Sequence, residues 1–178
     1  MRIIAGSRKG HTIVAPRGTT TRPTGDRVRE AAFNLIGPVD GAAVLDLYAG
    51  SGAMGLEALS RGAERAVFVE SDREAVAAIK RNLEKLRLTG AVVVQQPVVT
   101  ALGAEATAGR QYDLVLIDPP YAEWAELEPS LARYVPAVLA PDGLVVLESS
   151  GRDEPTLPLT QRTSRRYGSA RLTLFEHP

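Results

Sequence analysis

The chain has 178 residues, of which 44% are hydrophobic, and its basic and acidic side chains are equal in number. This length suits one domain that buries about 70% of the surface exposed by its unfolded chain. The absence of cysteine excludes disulfides, thiolate metal sites and a cysteine nucleophile, and two histidines are too few for a histidine metal cluster. No apolar stretch is long enough to span a membrane and no signal peptide is visible, so we expect a cytoplasmic protein with neither a membrane anchor nor a bound metal.

The first residues predict a small basic extension, which we place at residues 1–20, ahead of a main domain at 21–178. Short apolar segments at 2–5 and 11–15 flank Gly6-Ser7-Arg8-Lys9-Gly10, a pattern typical of a β-hairpin with a basic tip. Asp26 then stands where it could cap a helix that runs through Ile36. Arg27 and Arg29 would lie about 200° apart on that helix, so we expect one of them to pair within the protein.

A strand, a glycine-rich turn and a helix follow at residues 44–60. Gly50, Gly52 and Gly55 have the spacing of a dinucleotide fingerprint, and Glu70 ends the next apolar strand, where a ribose-binding acid is expected. On spacing alone, an NAD site, an S-adenosylmethionine (SAM) site and a tight turn stay open. Asp46 favours SAM, because an acid near the loop attracts an ammonium and a sulfonium where it would repel a pyrophosphate. A buried acid bonded to loop amides is the alternative.

Beyond Glu70 the pattern alternates between helix and strand, which predicts a doubly wound α/β sheet. Ser71-x-x-Glu74 is a predicted capping box for a helix at 73–88. A strand at 91–95, a short helix at 98–108 and a strand at 113–117 come next. Pro129 and Pro136 predict breaks or kinks in the following helical region. A strand at 144–148 and a closing antiparallel pair at 161–167 and 171–175 complete the chain.

The tetrapeptide Asp118-Pro119-Pro120-Tyr121 follows an apolar strand directly, and it indicates a site for a planar amine. Ligands bind outside the carboxyl ends of the strands in an open parallel sheet. There the Asp118 carboxylate can accept one N–H of an exocyclic amine and the Pro119 carbonyl the other, while Tyr121 stacks on the ring of a flipped nucleobase. A strand-end turn with a solvated aspartate is the alternative.

Together, these motifs resemble class I SAM-dependent methyltransferases that act on exocyclic amines. Further motifs narrow the resemblance to the RsmD family, bacterial methyltransferases that act on the N2 of a guanine in 16S ribosomal RNA. They are Arg2-Ile3-Ile4-Ala5-Gly6, the segment from Arg22 to Glu30 with Phe33-Asn34, and Gly55-Leu56-Glu57-Ala58-Leu59-Ser60-Arg61-Gly62. The chain departs from the family at Gln95-Gln96-Pro97, where the family usually carries Asp or Asn, which leaves the Val98 amide to meet the adenine.

The resemblance implies a Rossmann-like sheet, mostly parallel with an antiparallel C-terminal strand, and SAM as cofactor. The implied substrate is 16S rRNA within an assembling small ribosomal subunit, and the implied enzyme is a monomer. The residues implied to hold the cofactor are Asp46, Tyr48, Ala49, Gly50, Ser51, Gly52, Glu70, Ser71 and Val98. The residues implied to hold the reacting amine are Asp118, Pro119, Pro120 and Tyr121. The residues expected to contact nucleic acid are Arg8, Lys9, Arg17, Arg22, Thr24, Arg27 and Arg166.

The zero net charge conceals an uneven distribution. Residues 1–29 carry a net charge of +6, residues 30–161 carry −9 and residues 162–178 carry +3. Basic ends on an acidic body are typical of a protein that binds a phosphate backbone, and a solvated basic arm is the alternative. Other classes stay open. They are a DNA or other RNA methyltransferase for adenine N6 or cytosine N4, a non-catalytic nucleic-acid-binding module and an NAD-type oxidoreductase.

Overall fold

The computed structural model describes residues 1–17 and 25–178 as one seven-stranded sheet flanked by helices. The helices are α1 (Asp26–Ile36), α2 (Ala53–Ser60), α3 (Arg73–Leu86), α4 (Val98–Thr107) and α5 (Trp124–Val138). The strands are β1 (Ala43–Leu47), β2 (Arg65–Glu70), β3 (Ala91–Gln95), β4 (Tyr112–Ile117), β5 (Leu139–Ser150), β6 (Thr160–Tyr167) and β7 (Ala170–Glu176). A 3-10 turn at Tyr121–Glu123 leads into α5. The domain boundary predicted after residue 20 lies outside the described residues.

The strands lie in the order β3-β2-β1-β4-β5-β7-β6. The first five strands of the chain pair in parallel, whereas β7 runs antiparallel to both β5 and β6. This arrangement confirms the predicted Rossmann-like sheet with an antiparallel C-terminal end. The chain winds outward from β1 to β3 and then returns to place β4 beside β1. The strand order therefore reverses between β1 and β4, and the crevice outside their carboxyl ends is the expected ligand site.

Apolar side chains cover both faces of the sheet. One face packs against Phe33 of α1, Leu56 of α2 and Ile79 of α3. The other face packs against Leu102 of α4 and Leu131 of α5. Because both faces are covered, the central strands are apolar at successive positions, as a parallel sheet requires.

The N-terminal residues form the predicted hairpin. The Ile3 N–H donates to the His11 carbonyl at 2.9 Å, the Gly10 N–H donates to the Ile3 carbonyl at 2.8 Å, and Arg2 faces Thr12 in an antiparallel bridge. Ile3 and Ile13 are buried in the same core as Phe33, so the hairpin packs on the helices that cover that face of the sheet.

Two buried polar side chains attach the hairpin to the helices. Glu57 of α2 accepts the N–H groups of Ile4 and Ala5 at 2.9 and 3.0 Å. Asn82 of α3 accepts the Val14 N–H at 2.8 Å and donates to the Val14 carbonyl at 2.9 Å, so its amide group pairs with this backbone as a neighbouring strand would. Both side chains are fully buried. Their polar atoms are therefore committed to holding the extension in place.

The starts of two helices differ from the prediction. Asp72, rather than Ser71, caps α3 by accepting the Ala75 N–H at 2.8 Å, so the capping box was placed one residue too early. The N-cap of α1 is Gly25, which has no side chain to cap the helix. Asp26, the predicted cap, is the first helical residue, and its carboxylate accepts from Arg29 at 3.0 Å. As expected, one of the two arginines on α1 pairs within the protein: Arg29 is fully buried, whereas Arg27 is exposed.

The helix α5 runs through both prolines without a break, so of the predicted breaks or kinks only a kink stays a prediction. Pro129 deprives the Ala125 carbonyl of its helical donor, but both residues are exposed, so water can take the place of that donor. After β5, the antiparallel β7 brings the chain back to the amino edge of the parallel strands, where the His177 ring lies 3.0 Å from the carbonyl of Leu139. Within the described residues, no helix is long and apolar enough to cross a membrane.

Candidate active site

Four neighbouring strands bring their carboxyl ends to one edge of the sheet. Leu47, the last residue of β1, pairs with Val69 of β2 and with Ile117 of β4. Ile117 in turn pairs with Leu147 of β5. The next residue on each strand is therefore Tyr48, Glu70, Asp118 or Glu148, and all four lie along the same edge. The strand-end aspartate and the strand-end glutamate that the sequence singled out are thus brought to one site.

The glycine-rich loop joins β1 to α2 at this edge. Gly50 and Gly52 have φ values of 58° and 80°, a left-handed conformation that glycine adopts without a steric penalty. A Cβ added at Gly50 would meet open space, whereas a Cβ at Gly55 would overlap the Phe68 ring, lying 2.8 Å from its Cζ. Gly55 therefore lets α2 pack closely on β2, and the space at Gly50 leaves its backbone open to a ligand.

Glu70 ties the end of β2 to the glycine loop. One carboxylate oxygen accepts the Gly50 N–H at 2.8 Å, and the other accepts the N–H groups of Ser71 and Asp72 at 2.9 and 3.0 Å. An ionised carboxylate offers about four lone-pair directions, so these three bonds leave capacity for a hydroxyl. The placement suits the predicted role of Glu70 in binding ribose.

Asp46 lies beneath the loop rather than at its surface. Its side chain is 4% exposed, and one carboxylate oxygen accepts the Gly55 N–H at 2.9 Å. Burial raises the pKa of Asp46 to about 8; the Gly55 N–H opposes this shift and the nearby Glu70 charge adds to it. These contacts match the alternative of a buried acid bonded to loop amides, and its attraction for a cationic cofactor stays a prediction.

Tyr48 holds an unusual backbone conformation directly after β1. Its φ is 59°, which is uncommon for a residue other than glycine and is found at functional sites. Within the part of the chain that the structure describes, the buried Tyr48 hydroxyl has no hydrogen-bond partner. Burial, followed by the charge of Glu123, raises the pKa of Tyr48 to about 12, so this residue stays neutral. The next residue, Ala49, donates its N–H to the Val69 carbonyl at 3.1 Å.

The segment Gln95-Gln96-Pro97, where the chain departs from the family pattern, lies beside Glu70, because Gln95 of β3 pairs with Glu70 of β2. Pro97 is the N-cap of α4, and Val98 is its first residue. The first N–H groups of a helix have no partner within the helix. The Val98 amide is therefore positioned at a helix start on the same edge of the sheet as the predicted ribose-binding acid.

The Asp118-Pro119-Pro120-Tyr121 turn leaves β4 at the same edge. Asp118 is partly buried, Pro119 is buried and Pro120 is exposed. Tyr121 opens the 3-10 turn with 44% of its surface exposed, and its hydroxyl donates to a Glu148 carboxylate oxygen at 3.4 Å. An exposed ring held at one end beside a strand-end acid has the form of a stacking platform.

Sequence reasoning missed two polar residues of this site. Glu148 contacts Tyr121, and the signal for it was an acid that ends an apolar strand, as Glu70 does. Asn82 donates to the Ser51 carbonyl of the glycine loop at 3.0 Å, in addition to its bonds with Val14. Its signal was a polar residue on the inward face of an otherwise apolar helix stripe.

The predicted RNA-contacting cations of the extension fall into two groups. The Arg8 guanidinium donates to the carbonyls of Leu86 and Arg87 at the end of α3, and is therefore engaged as a helix cap. Lys9 and Arg27 are exposed and, with Arg2, Asp26 and Glu30, line a cleft of about 410 Å³ between the hairpin and α1.

The remaining predicted cations are dispersed. Arg17 is exposed at the end of the first described segment. Arg166 is exposed on β6, where its Nε–H donates to the Gly168 carbonyl at 2.9 Å. Arg22 and Thr24 lie outside the described residues.

Comparison with known proteins identifies relatives along the whole chain. The family model described as "Conserved hypothetical protein 95" matches residues 1–176. Ribosomal RNA small subunit methyltransferase D of Escherichia coli K12 is 38% identical over 160 residues, which cover 89% of this chain and 79% of the relative. The putative rRNA methyltransferase YlbH of Bacillus subtilis 168 is 48% identical over 125 residues, which cover 69% and 68%.

Solved structures give the same result for the fold. The putative methyltransferase yhhF of Escherichia coli superimposes with a TM-score of 0.83 at 34% identity, over 100% of this chain and 99% of that one. A hypothetical protein of Thermus thermophilus gives a TM-score of 0.84 at 36% identity, over 99% of each chain. The matching length, the matching sheet and the strand-end motifs at one edge agree, and the chain belongs to the RsmD family of SAM-dependent methyltransferases.

Proposed function

We propose that this enzyme transfers a methyl group from SAM to the exocyclic N2 of a guanine in 16S rRNA. One observation carries the proposal: the register of β2, β1 and β4 places the glycine loop and Glu70 on the same edge as the Asp118-Pro119-Pro120-Tyr121 turn. A cofactor site and a site for a planar amine are therefore neighbours. The names of the RsmD relatives, which specify small-subunit rRNA, support this substrate.

The cofactor site fits SAM on the chemistry of its donors and acceptors. The Glu70 carboxylate can accept ribose hydroxyls, Asp46 supplies an acid near the loop, and the open space at Gly50 admits a ligand close to the backbone. The Val98 N–H is available to an adenine ring nitrogen. When bound, SAM supplies an electrophilic methyl group on a sulfonium.

The residues of the Asp118 turn position the nucleophile. A guanine amino nitrogen reacts poorly because its lone pair is conjugated with the ring. The Asp118 carboxylate and the Pro119 carbonyl can accept its two N–H groups, draw them out of the ring plane and free the lone pair. Tyr121 stacks on the base, and the bond from its hydroxyl to Glu148 fixes one end of the ring.

Asp118 does not need to be a strong base for this reaction. The proton on the amine becomes acidic only after the nitrogen has gained the methyl group and a positive charge, so the carboxylate can accept it late. Most of the rate enhancement therefore comes from alignment of the amine with the methyl group, to which the rigid Pro119-Pro120 turn contributes.

The basic extension supplies the surface for RNA. Lys9 and Arg27 meet at one cleft, and the charge of +6 on residues 1–29 contrasts with −9 on the central region. We further propose that the enzyme acts as a monomer in the cytoplasm, on an assembling small subunit. A DNA methyltransferase of the same chemistry is the second candidate, because the Asp118-Pro119-Pro120-Tyr121 turn suits any exocyclic amine.

The decisive experiment measures methyl transfer from labelled SAM onto unmethylated 30S subunits and onto naked 16S rRNA, followed by mapping of the labelled base. We expect label on the N2 of one guanine, with the subunit preferred over the naked RNA. Label on adenine or cytosine, or on DNA supplied in parallel, would contradict the proposed substrate.

A further inference from the structure

The outer strand β6 presents a row of arginines that the mechanism does not use. Its eight residues contain Arg162, Arg165 and Arg166, all exposed, and no acidic residue. Within residues 1–17 and 25–178, the strand pairs only with β7 and forms the edge of the sheet opposite β3. Among the described residues, the side chains of Arg162 and Arg165 have no hydrogen-bond or ion-pair partner, so two cations of this row are free to bind an anion.

The strand register places Arg165 at the level of the active site, and Arg162 nearer the amino edge, beside Val145 and Val146 of β5. Asp118 follows Ile117, which pairs with Leu147, so Asp118 lies level with Glu148. Glu148 pairs with Leu172 of β7, and Leu172 pairs with Arg165 of β6. Arg165 therefore lies three strand spacings from Asp118, about 14 Å at a usual spacing of about 4.8 Å.

Arg165 also lies on the side of the sheet that carries the basic extension. Residues that face each other across an antiparallel pair point to the same side of the sheet. Leu172, opposite Arg165, is buried in the core formed with Phe33 of α1 and Ile3 of the hairpin. Tyr167, two residues further along β6, packs against that same core. The edge of β6 and the helix that carries Arg27 thus belong to one side of the molecule.

The partners of β6 keep this strand in place. Arg171 of β7 is mostly buried and donates to the Ser164 hydroxyl at 3.1 Å and to the Gly151 carbonyl at 3.2 Å. Its role is therefore structural. The β-bulge between Gln161 and Thr163 sets Arg162 out of the regular pairing.

We propose that Arg162 and Arg165 bind backbone phosphates of the substrate RNA beside the active site. The proposal rests on the proposed function and extends it, because β6 then adds a second basic surface on the side of the sheet that carries Lys9 and Arg27. Phosphate contacts along β6 hold the RNA strand in register while the target base is flipped toward Asp118.

Arginines on an open edge strand have a second known use, which is to prevent pairing with another chain. The two uses differ in their consequences. Loss of a phosphate contact lowers the salt dependence of RNA binding, whereas loss of a protective charge leaves that dependence unchanged and promotes self-association.

The test compares Arg162→Gln/Arg165→Gln with Arg81→Gln/Arg133→Gln, a control that removes the same charge from exposed helical positions. Binding of a fluorescent unmethylated 16S rRNA transcript is measured over a series of salt concentrations. We expect the slope of log affinity against log salt to fall by about 1.4 in the β6 variant, at about 0.7 for each lost contact with a single strand, and to change little in the control. SAM affinity measured by calorimetry should match the wild type in both variants.

A β6 variant that keeps the wild-type salt slope, or that loses no more than the control, would overturn the proposal. So would a variant with unchanged RNA binding that dimerises in sedimentation experiments, since its arginines would then protect the edge. A wild-type chain that binds no RNA would overturn the proposed function itself, and this outcome is visible before any variant is compared.

Discussion

At the scale of single residues, Asp118 offers the sharpest test of how the amine is held. Asp118→Ala removes an acceptor but no buried apolar side chain, and Pro119 and Pro120 still set the turn. We expect the fold and SAM affinity to survive and turnover to fall by about 10²-fold or more, the scale seen when an aligned polar group is deleted. Asp118→Asn should retain more activity, because its amide oxygen can still accept an N–H.

Single-turnover methyl transfer with saturating RNA would measure both variants. Asp142→Ala, which removes an exposed acid far from this edge, is the matched control and should keep full activity. An alanine variant of Asp118 that is folded, binds SAM and reacts at the wild-type rate would show that Asp118 only ends a strand.

Asp46 leads to a pH prediction at the same scale. Its pKa rises from 3.8 to about 8 on folding, so between these values the folded chain holds a proton that the unfolded chain has released. The contribution of Asp46 to the free energy of unfolding is therefore fully present at low pH. The cofactor-free protein should lose this contribution as the pH rises from about 4 to about 8. Asp46→Asn should flatten this dependence, which thermal unfolding across that pH range would measure.

The same carboxyl couples SAM binding to proton release. A cationic ligand favours the ionised form of Asp46, so binding below pH 8 should expel a proton and tighten as pH rises. Calorimetry in two buffers with different ionisation enthalpies would detect the proton. Equal binding heats in both buffers would place the SAM cation away from Asp46.

At the scale of elements, the packing of α2 on β2 depends on Gly55. A Cβ at this position would overlap the Phe68 ring, so Gly55→Ala should destabilise the protein by about 1–3 kcal/mol through overpacking. Gly103→Ala in α4 is the matched control, because its Cβ would lie 3.5 Å or more from Tyr134. The control should be neutral or stabilising by up to about 1 kcal/mol.

Chemical denaturation of both variants would check this contrast. Phe68→Leu in the Gly55→Ala background should recover part of the lost stability if the ring is the obstacle. If the changes in unfolding free energy of the two single substitutions simply add, the Phe68 ring is not the obstacle.

The two cations at the hairpin tip, Arg8 and Lys9, were both predicted to contact RNA, but the structure gives them different roles. Arg8 binds the last carbonyls of α3, so Arg8→Ala should lower stability by about 1–2 kcal/mol through loss of these charged hydrogen bonds. Lys9 is exposed, and Lys9→Ala should leave stability unchanged and lower the RNA salt slope by about 0.7. Denaturation and salt-dependent RNA binding would distinguish them, and a reversed pattern would show that Arg8 is the RNA contact.

The hydrophobic pattern predicted the elements better than it predicted their ends. Apolar periodicity located the seven strands and five helices of residues 1–17 and 25–178, because burial against the sheet dominates their stability. The cap of α3 was off by one residue because Ser71 and Asp72 are both good N-caps, and only the structure shows that the Asp72 carboxylate accepts the Ala75 N–H. A break at Pro129 was not required, since its effect depends on exposure that the sequence does not reveal.

At the scale of the whole molecule, Asn82 connects the extension to the cofactor loop. Its amide bonds both backbone groups of Val14 and the Ser51 carbonyl. Asn82→Ala would leave the buried Ser51 carbonyl without this partner and release the backbone of Val14, so we expect a loss of about 1–3 kcal/mol in stability and weaker binding of both SAM and RNA. The matched control is Asn34→Ala, which is exposed on α1.

Unfolding, calorimetry and RNA binding on the same preparations would measure this connection. Lower stability with unchanged SAM affinity would limit Asn82 to holding the hairpin. Unaltered stability would contradict the role of Asn82 altogether.

The position of the candidate site followed from a rule about whole sheets, which is why it could be predicted. Carboxyl ends of parallel strands share an edge, so acids at the ends of β2 and β4 had to be neighbours. The helix-capping role of Arg8 could not be predicted, nor which of Arg27 and Arg29 would pair within the protein, because each outcome depends on a carbonyl or carboxylate distant in sequence. The contact of Glu148 with Tyr121 could not be predicted either, because only the fold brings β5 beside the turn that follows β4.

The antiparallel return of β7 has a practical consequence for handling the enzyme. It leaves His177 beside Leu139, at the edge of the sheet away from Asp118. A tether attached after Pro178 would hold the protein at the amino edge of the parallel strands and leave the edge that carries Asp118 facing solution. A tether at Met1 would extend from the paired end of the hairpin, whose Met1 carbonyl accepts the Ile13 N–H at 2.9 Å. Surface capture of 16S rRNA should therefore be stronger with C-terminal immobilisation than with N-terminal immobilisation, where the tether adjoins the basic extension.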